Sequence, residues 1–239
     1  MDRSESMDDL DLTARPAPTP QRPFLGMTLL LIEDSRFASE AVRLMALRSG
    51  ARIRRADCLA SARRHLGTYR PDVAIVDLGL PDGSGLSLIE DLAAGSHPPA
   101  VILATSGQAR ESVEGDALIC GANGFLPKPI ESLAAFQQAI MRHLPRDRWP
   151  RSLRVVGAET IEPDPLALSE DLAYADRILA DPQVTPAYIV NFLQGLARTG
   201  HDSKLLAETS GLATRPAPEI RPRLQALIAE RLDTTRRVI

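Results

Sequence analysis

Four short stretches carry residue types that could do chemistry: Glu33-Asp34, Asp77, Thr105-Ser106 and Lys128. Each lies at the end of an apolar, strand-like run, namely Thr28–Ile32, Val73–Val76, Val101–Ala104 and Gly124–Leu126. If those runs pair in parallel, their carboxyl ends gather the polar residues at one edge, where ligands bind in open α/β sheets. Three carboxylates in one crevice repel one another and call for a cation. Oxygen ligands alone select Mg²⁺ or Mn²⁺ over zinc. A hydroxyl and a lysine ammonium beside that cation can bind the oxygens of a phosphoryl group. A carboxylate nucleophile, a metal and two donors for developing charge are what phosphoryl transfer onto a carboxylate requires.

The elements that must position these residues alternate along residues 27–146. A fifth strand-like run, Ile53–Ala56, joins the four above. Helical periodicity marks Phe37–Ser49, Leu59–Leu66, Leu86–Ala93, Arg110–Ile119 and Leu133–Leu144. Strands alternating with helices imply an α/β architecture, with a parallel sheet covered by helices on both faces. Residues 1–26 open acidic and then become proline-rich, Ala14–Pro20, which predicts a disordered arm. Residues 147–165 are proline-containing and read as a linker. Residues 166–239 show only helical patterns. Leu168, Leu172, Ala175 and Leu179 share one face, and Thr185-Pro186 caps a helix that carries Ile189, Phe192, Leu193 and Leu196 as an apolar stripe. Ser203–Leu212 and Pro218–Leu232 predict two more helices.

Residues 27–146 resemble the response-regulator receiver domain of bacterial two-component signalling. The resemblance is carried by Leu31-Ile32-Glu33-Asp34-Ser35, by Val76-Asp77-Leu78-Gly79-Leu80-Pro81-Asp82-Gly83, by Ala104-Thr105-Ser106-Gly107, and by Gly124-Phe125-Leu126-Pro127-Lys128-Pro129. These stand in order, with 43 residues from Asp34 to Asp77, 28 to Thr105 and 23 more to Lys128. The resemblance implies a flavodoxin-like, doubly wound sheet of five parallel strands. It implies that Asp77 accepts the phosphoryl group, that Asp34 ligates Mg²⁺ or Mn²⁺ directly with Glu33 acting through water, and that the Gly79 carbonyl is a further ligand. Thr105 and Lys128 engage the phosphoryl group, Phe125 occupies the switch-aromatic position, and Lys128-Pro129 is cis. The donor is a histidine kinase or a histidine phosphotransfer protein. Such a chain is a phosphoacceptor with at most slow autodephosphorylation, not an enzyme.

Each of these residues also has a plainer reading. Asp77 can simply start a loop, Glu33-Asp34 can cap a helix (Ser35 could do so instead), and Phe125 can be core. Lysine occurs only at 128 and 204, every other basic side chain being arginine, which makes Lys128 conspicuous. His65, His97, His143 and His201 show no metal spacing. His201 and Lys204 have the spacing of a phosphotransfer HxxK pattern, but Leu205 stands where its glycine belongs. Cys58 and Cys120 read as small apolar residues in helical patterns.

Composition narrows the output. The chain has 28 basic and 31 acidic side chains, a net charge of −3, and residues 148–239 balance 12 of each. No basic footprint for nucleic acid results. No apolar run reaches membrane-spanning length, the first residues are acidic unlike a signal peptide, and two scattered cysteines suit a reducing cytoplasm. The expectation is therefore a cytoplasmic response regulator whose helical region works through a protein partner or self-association. The alternatives are a DNA-binding transcriptional regulator, or a receiver that serves only as a phosphate sink or relay.

Overall fold

Continuous aliphatic runs build the central strands, and side-chain caps start several of the helices. The computed structural model describes residues 16–152, 164–212 and 217–236. In chain order, β1 (Thr28–Ile32), α1 (Arg36–Arg48), β2 (Arg52–Ala56), α2 (Leu59–Thr68) and β3 (Val73–Asp77) come first. A two-residue hairpin follows, β4 (Gly79–Leu80) with β5 (Gly83–Ser84), then α3 (Gly85–Ala94), β6 (Val101–Ser106), α4 (Arg110–Ile119), β7 (Gly124–Pro127) and α5 (Leu133–Met141). Four helices complete the chain: α6 (Pro165–Leu179), α7 (Pro186–Thr199), α8 (Ser203–Ser210) and α9 (Ala217–Arg236).

The main sheet has five strands in the order β2-β1-β3-β6-β7, every pair parallel. Counting only these strands, the order is 2-1-3-4-5, the doubly wound arrangement in which ligands sit beyond the carboxyl ends at the switch point. The central strands β3 and β6 are buried along their whole length, as helices on both faces require. Alternate residues of β1 serve opposite layers. Leu29 and Leu31 join Met45, Phe136 and Ile140 on the α1/α5 side, while Leu30 and Ile32 join Leu59, Leu88 and Ile89 on the α2/α3 side.

Two expectations are corrected at the edges of this unit. Residues 16–26 are not a free arm. The Phe24 side chain is fully buried against the Phe136 ring, and its backbone N–H donates to the Ser49 carbonyl at 2.8 Å. An aromatic ring with no solvent contact outweighs the local proline content. Residues 1–15 of the expected arm lie outside the described residues. The first part of the expected linker is also fastened: Arg148 pairs with Asp72 at 2.8 Å, and the Trp149 indole donates to the Leu144 carbonyl. Residues 153–163 lie outside the described residues.

Helices α6–α9 form a third apolar cluster around Leu172, Leu179, Ile189, Leu193, Leu224 and Ile228. Phe192 and Leu196 belong to it, so the stripe read from the sequence is core within one chain. Phe37 of α1 belongs to it too, which seats the helical region on the first helix of the α/β unit. Asp164 and Thr185 cap α6 and α7, each followed by proline at the first helical position. Arg221 of α9 donates to the carbonyls of Leu179, Asp181 and Val184, tying α9 to the α6–α7 turn.

Candidate functional site

Strand register brings the polar residues together. Asp77, the last residue of β3, pairs with Thr105 on β6. Ile32 pairs with Val76, so Glu33 and Asp34 emerge beside Asp77. Ser106 pairs with Pro127, which places Lys128 just beyond the same edge. Neighbouring strands lie about 4.8 Å apart, close enough for charged side chains from three of them to meet. Gly85 lets α3 start directly behind Asp77; a Cβ there would stand 2.0 Å from the Asp77 carbonyl oxygen.

Among the described residues, Glu33, Asp34 and Asp77 are a carboxylate group whose ligand oxygens all lie within 4.8 Å of one another. The Lys128 ammonium sits 2.6 Å from Glu33 Oε2 and 2.8 Å from Asp77 Oδ2. Gly79 approaches through its backbone N–H, 3.3 Å from Asp77 Oδ1. Glu33, Asp34, Asp77 and Thr105 are all buried. Arg55 of β2 steadies the acidic pair from below. Its Nε donates to the Glu33 carbonyl at 3.0 Å, and a terminal nitrogen donates to the Asp34 carbonyl at 2.6 Å. Ser35 supplies the α1 cap through its hydroxyl, which accepts from the Ala38 N–H, so neither acid is consumed as that cap. The Lys128-Pro129 peptide is cis, as the resemblance implies.

Burial and mutual charge set the electrostatics of this cluster. Burial, then the facing charge of Asp77, pushes the Asp34 carboxyl up to about 7. Burial likewise raises Glu33 well above its usual range, with Asp77 and Asp34 adding to the rise and Lys128 opposing it. Burial alone would lower Lys128, but the Asp77 and Glu33 carboxylates prevail and hold its ammonium above the usual value. Two buried acids held above their usual range, with a third carboxylate beside them, fit a small divalent cation.

Phe125 is buried in the α2/α3-side layer beside Ala104, one strand from Thr105. His201 sits in the α7–α8 turn with φ at 54°, and Lys204 pairs with Glu230 at the surface, so the HxxK spacing builds no pocket. Cys58 and Cys120 are helix-flanking and half-buried.

The helical region contributes residues that sequence reasoning did not single out. Helix α7 lies across the carboxyl edge of the sheet. Near its start the Tyr188 hydroxyl donates to Asp34 Oδ2. Near its end Arg198 Nε donates to the Gly107 carbonyl at 2.9 Å. Between them Gly195 meets Gly107 so closely that a Cβ on Gly107 would come within 2.7 Å of the α7 backbone. From α6, the buried Asp171 carboxylate accepts from the Ser35 hydroxyl at 2.7 Å and from the N–H groups of Arg36 and Phe37, both at 2.9 Å. Burial raises the Asp171 carboxyl; these hydrogen bonds oppose the rise. The one available signal was Asp171 itself, a charge on the face shared by Leu168, Leu172 and Ala175.

Residues 29–140 match the family described as the response regulator receiver domain. The chain is 32% identical over 147 residues to the KDP operon transcriptional regulatory protein KdpE of Escherichia coli K12, covering 60% of this chain and 58% of that one. It is 37% identical over 120 residues to the virulence transcriptional regulatory protein PhoP of Salmonella typhimurium LT2, covering 48% of this chain and 52% of that one. The chain thus spans little more than half the length of these curated relatives. A solved structure of a putative response regulator from Chloroflexus aurantiacus superposes with a TM-score of 0.44 at 27% identity, covering 48% of this chain and 93% of that one. With the strand order, the acidic edge and the family match in agreement, residues 29–140 are a response regulator receiver domain.

Proposed function

We propose that this chain is a two-component response regulator that accepts a phosphoryl group on Asp77. The observation that carries this reading is the buried cluster of Glu33, Asp34 and Asp77 with the Lys128 ammonium 2.8 Å from Asp77. The donor is a histidine kinase or histidine phosphotransfer protein. An Asp77 oxygen attacks phosphorus, the bond from phosphorus to the donor nitrogen breaks, and the imidazole leaves with the electron pair. Asp34 and Asp77 would hold Mg²⁺ or Mn²⁺ directly, with Glu33 through water and the Gly79 carbonyl completing the protein ligands. The ion supplies neutralisation of charge on the phosphoryl oxygens. Lys128 remains as the fixed cation beside the acceptor. The Thr105 hydroxyl, on the strand next to Asp77, donates to the new phosphoryl oxygens, and Phe125 follows Thr105 as the switch aromatic. The chain is a phosphoacceptor rather than an enzyme and works in the cytoplasm; among the described residues no helix is long and apolar enough to cross a membrane.

Output runs through protein contact of the C-terminal helices, whose region carries no basic excess. A second reading, DNA binding, is favoured by the names of KdpE and PhoP, both transcriptional regulatory proteins. Incubation of the full chain with acetyl phosphate and Mg²⁺, followed by mass mapping, tests the acceptor. One phosphoryl group on the peptide containing Asp77 is expected, and none in Asp77→Asn. Wild-type incorporation by the Asn variant contradicts the reading.

A further inference from the structure

The geometry points to α7 as a displaceable cover over the phosphorylation pocket, so that the docked helix and a phosphodonor use the same face of the receiver in turn. This rests on Asp77 being the acceptor and Asp34 a cation ligand.

Four observations carry it. The first is placement: α7 bridges from Asp34 on one side of the pocket to Gly107 on the other. Asp77, on the same sheet edge between them, has 6% of its surface exposed, so the docked chain offers a phosphodonor little of it. The second is occupancy at Asp34. One of its oxygens accepts from the Ser35 N–H at 3.0 Å and the other accepts from Tyr188. A divalent cation shared with Glu33 and Asp77 draws on this same carboxylate, both of whose oxygens already hold a donor. The third is the bare backbone contact of Gly107 with Gly195. It lets the helix settle flush on the loop that follows Thr105, and it leaves no room for a side chain at Gly107. The fourth is how the cover is fastened. Tyr188 and Arg198 each give α7 a hydrogen bond to the receiver, while its apolar stripe is committed to its own bundle. A bundle so held can leave with its own aliphatic core intact, at the cost of exposing Phe37 and releasing Asp171 from the start of α1.

The coupling has a physical route in both directions. Thr105 is two residues from Gly107. Drawing its hydroxyl toward a phosphoryl group shifts the loop that Gly195 and Arg198 grip. The acyl phosphate also brings about −1.5 to −2 charges and three acceptor oxygens beneath α7. In the other direction, a closed fraction of molecules lowers apparent cation affinity and phosphorylation rate by the fraction that is open.

The test compares wild-type full chain with Tyr188→Phe, which keeps the ring but frees the Asp34 oxygen, and Arg198→Ala, which removes the hydrogen bond that holds the end of α7 to the Gly107 carbonyl. Neither residue belongs to the phosphoryl-transfer machinery. Initial rates of Asp77 labelling by acetyl phosphate with Mg²⁺ are expected to rise about tenfold in both variants, the scale of losing one charge-assisted hydrogen bond. Calorimetric titration with Mg²⁺ alone is expected to show about tenfold tighter binding in Tyr188→Phe. Equal rates and equal Mg²⁺ dissociation constants across the three proteins overturn the cover. Absence of Asp77 labelling in all three overturns the acceptor reading instead. The titration then still decides the cover: equal constants overturn it, and tighter binding in Tyr188→Phe supports it.

Discussion

Asp34 has two obligations in this fold: it is a pocket carboxylate, and it anchors Tyr188. Burial holds its carboxyl up at about 7, far above its usual 3.8. The folded chain therefore binds a proton that the unfolded chain has released between those two values. The sign follows: without metal, this group contributes stability at low pH that is lost as pH rises through that window. Denaturant titrations in chelator should show wild type losing stability relative to Asp34→Asn between about pH 4 and pH 7; a constant gap would refute the assignment. The pair of acids should also differ. Asp34→Ala is expected to weaken Mg²⁺ binding by at least about tenfold, and Glu33→Ala by only a few-fold, because an interaction through water is weaker than direct ligation. Equal losses in a Mg²⁺ titration would reverse the ranking. These acids were legible in the sequence because strand ends in a parallel sheet converge. Tyr188 was not, because its partner lies 154 residues away and nothing local marks a tyrosine at the start of an apolar stripe as a hydrogen-bond donor to the pocket.

At the scale of elements, the alternation of aliphatic runs and helical periods showed all five strands of the sheet, with ends within two residues of those observed. It did not show what the chain before β1 does. Proline density argued for an arm, while one buried ring, Phe24, decides the outcome for residues 16–26. Phe24→Ala is expected to cost about 3–5 kcal/mol in chemical denaturation, the range for emptying a packed aromatic site; a change below about 1 kcal/mol would return this segment to the status of an arm. The α6–α1 junction has a similar test. Asp171 accepts three hydrogen bonds at the start of α1, so Asp171→Ala should cost about 2–3 kcal/mol, with Asp171→Asn recovering part of it. Loss of the same size in Asn and Ala would mean that charge, not acceptor geometry, is what α1 requires. The helices of the C-terminal region were readable from their caps and stripes. Their seating on α1 was not, because it depends on Phe37 joining a cluster built from residues more than 130 positions later.

At the scale of the molecule, receiver and helical region share a boundary at the sheet edge that carries Asp34, Asp77 and Thr105. Charge balance in residues 148–239 predicts no retention of duplex DNA by the full chain at about 150 mM salt, with or without a phosphoryl mimic; a footprint under those conditions would favour the transcriptional reading. The account as a whole predicts that a phosphoryl group at Asp77 loosens α7. Hydrogen exchange with mass readout, on wild type and Asp77→Asn with Mg²⁺, with and without beryllofluoride, tests this most directly. Amides of residues 186–199 should exchange faster in wild type once beryllofluoride is added and stay unchanged in the Asn variant. Unchanged protection of α7 in wild type, with beryllofluoride bound at Asp77, would contradict the account.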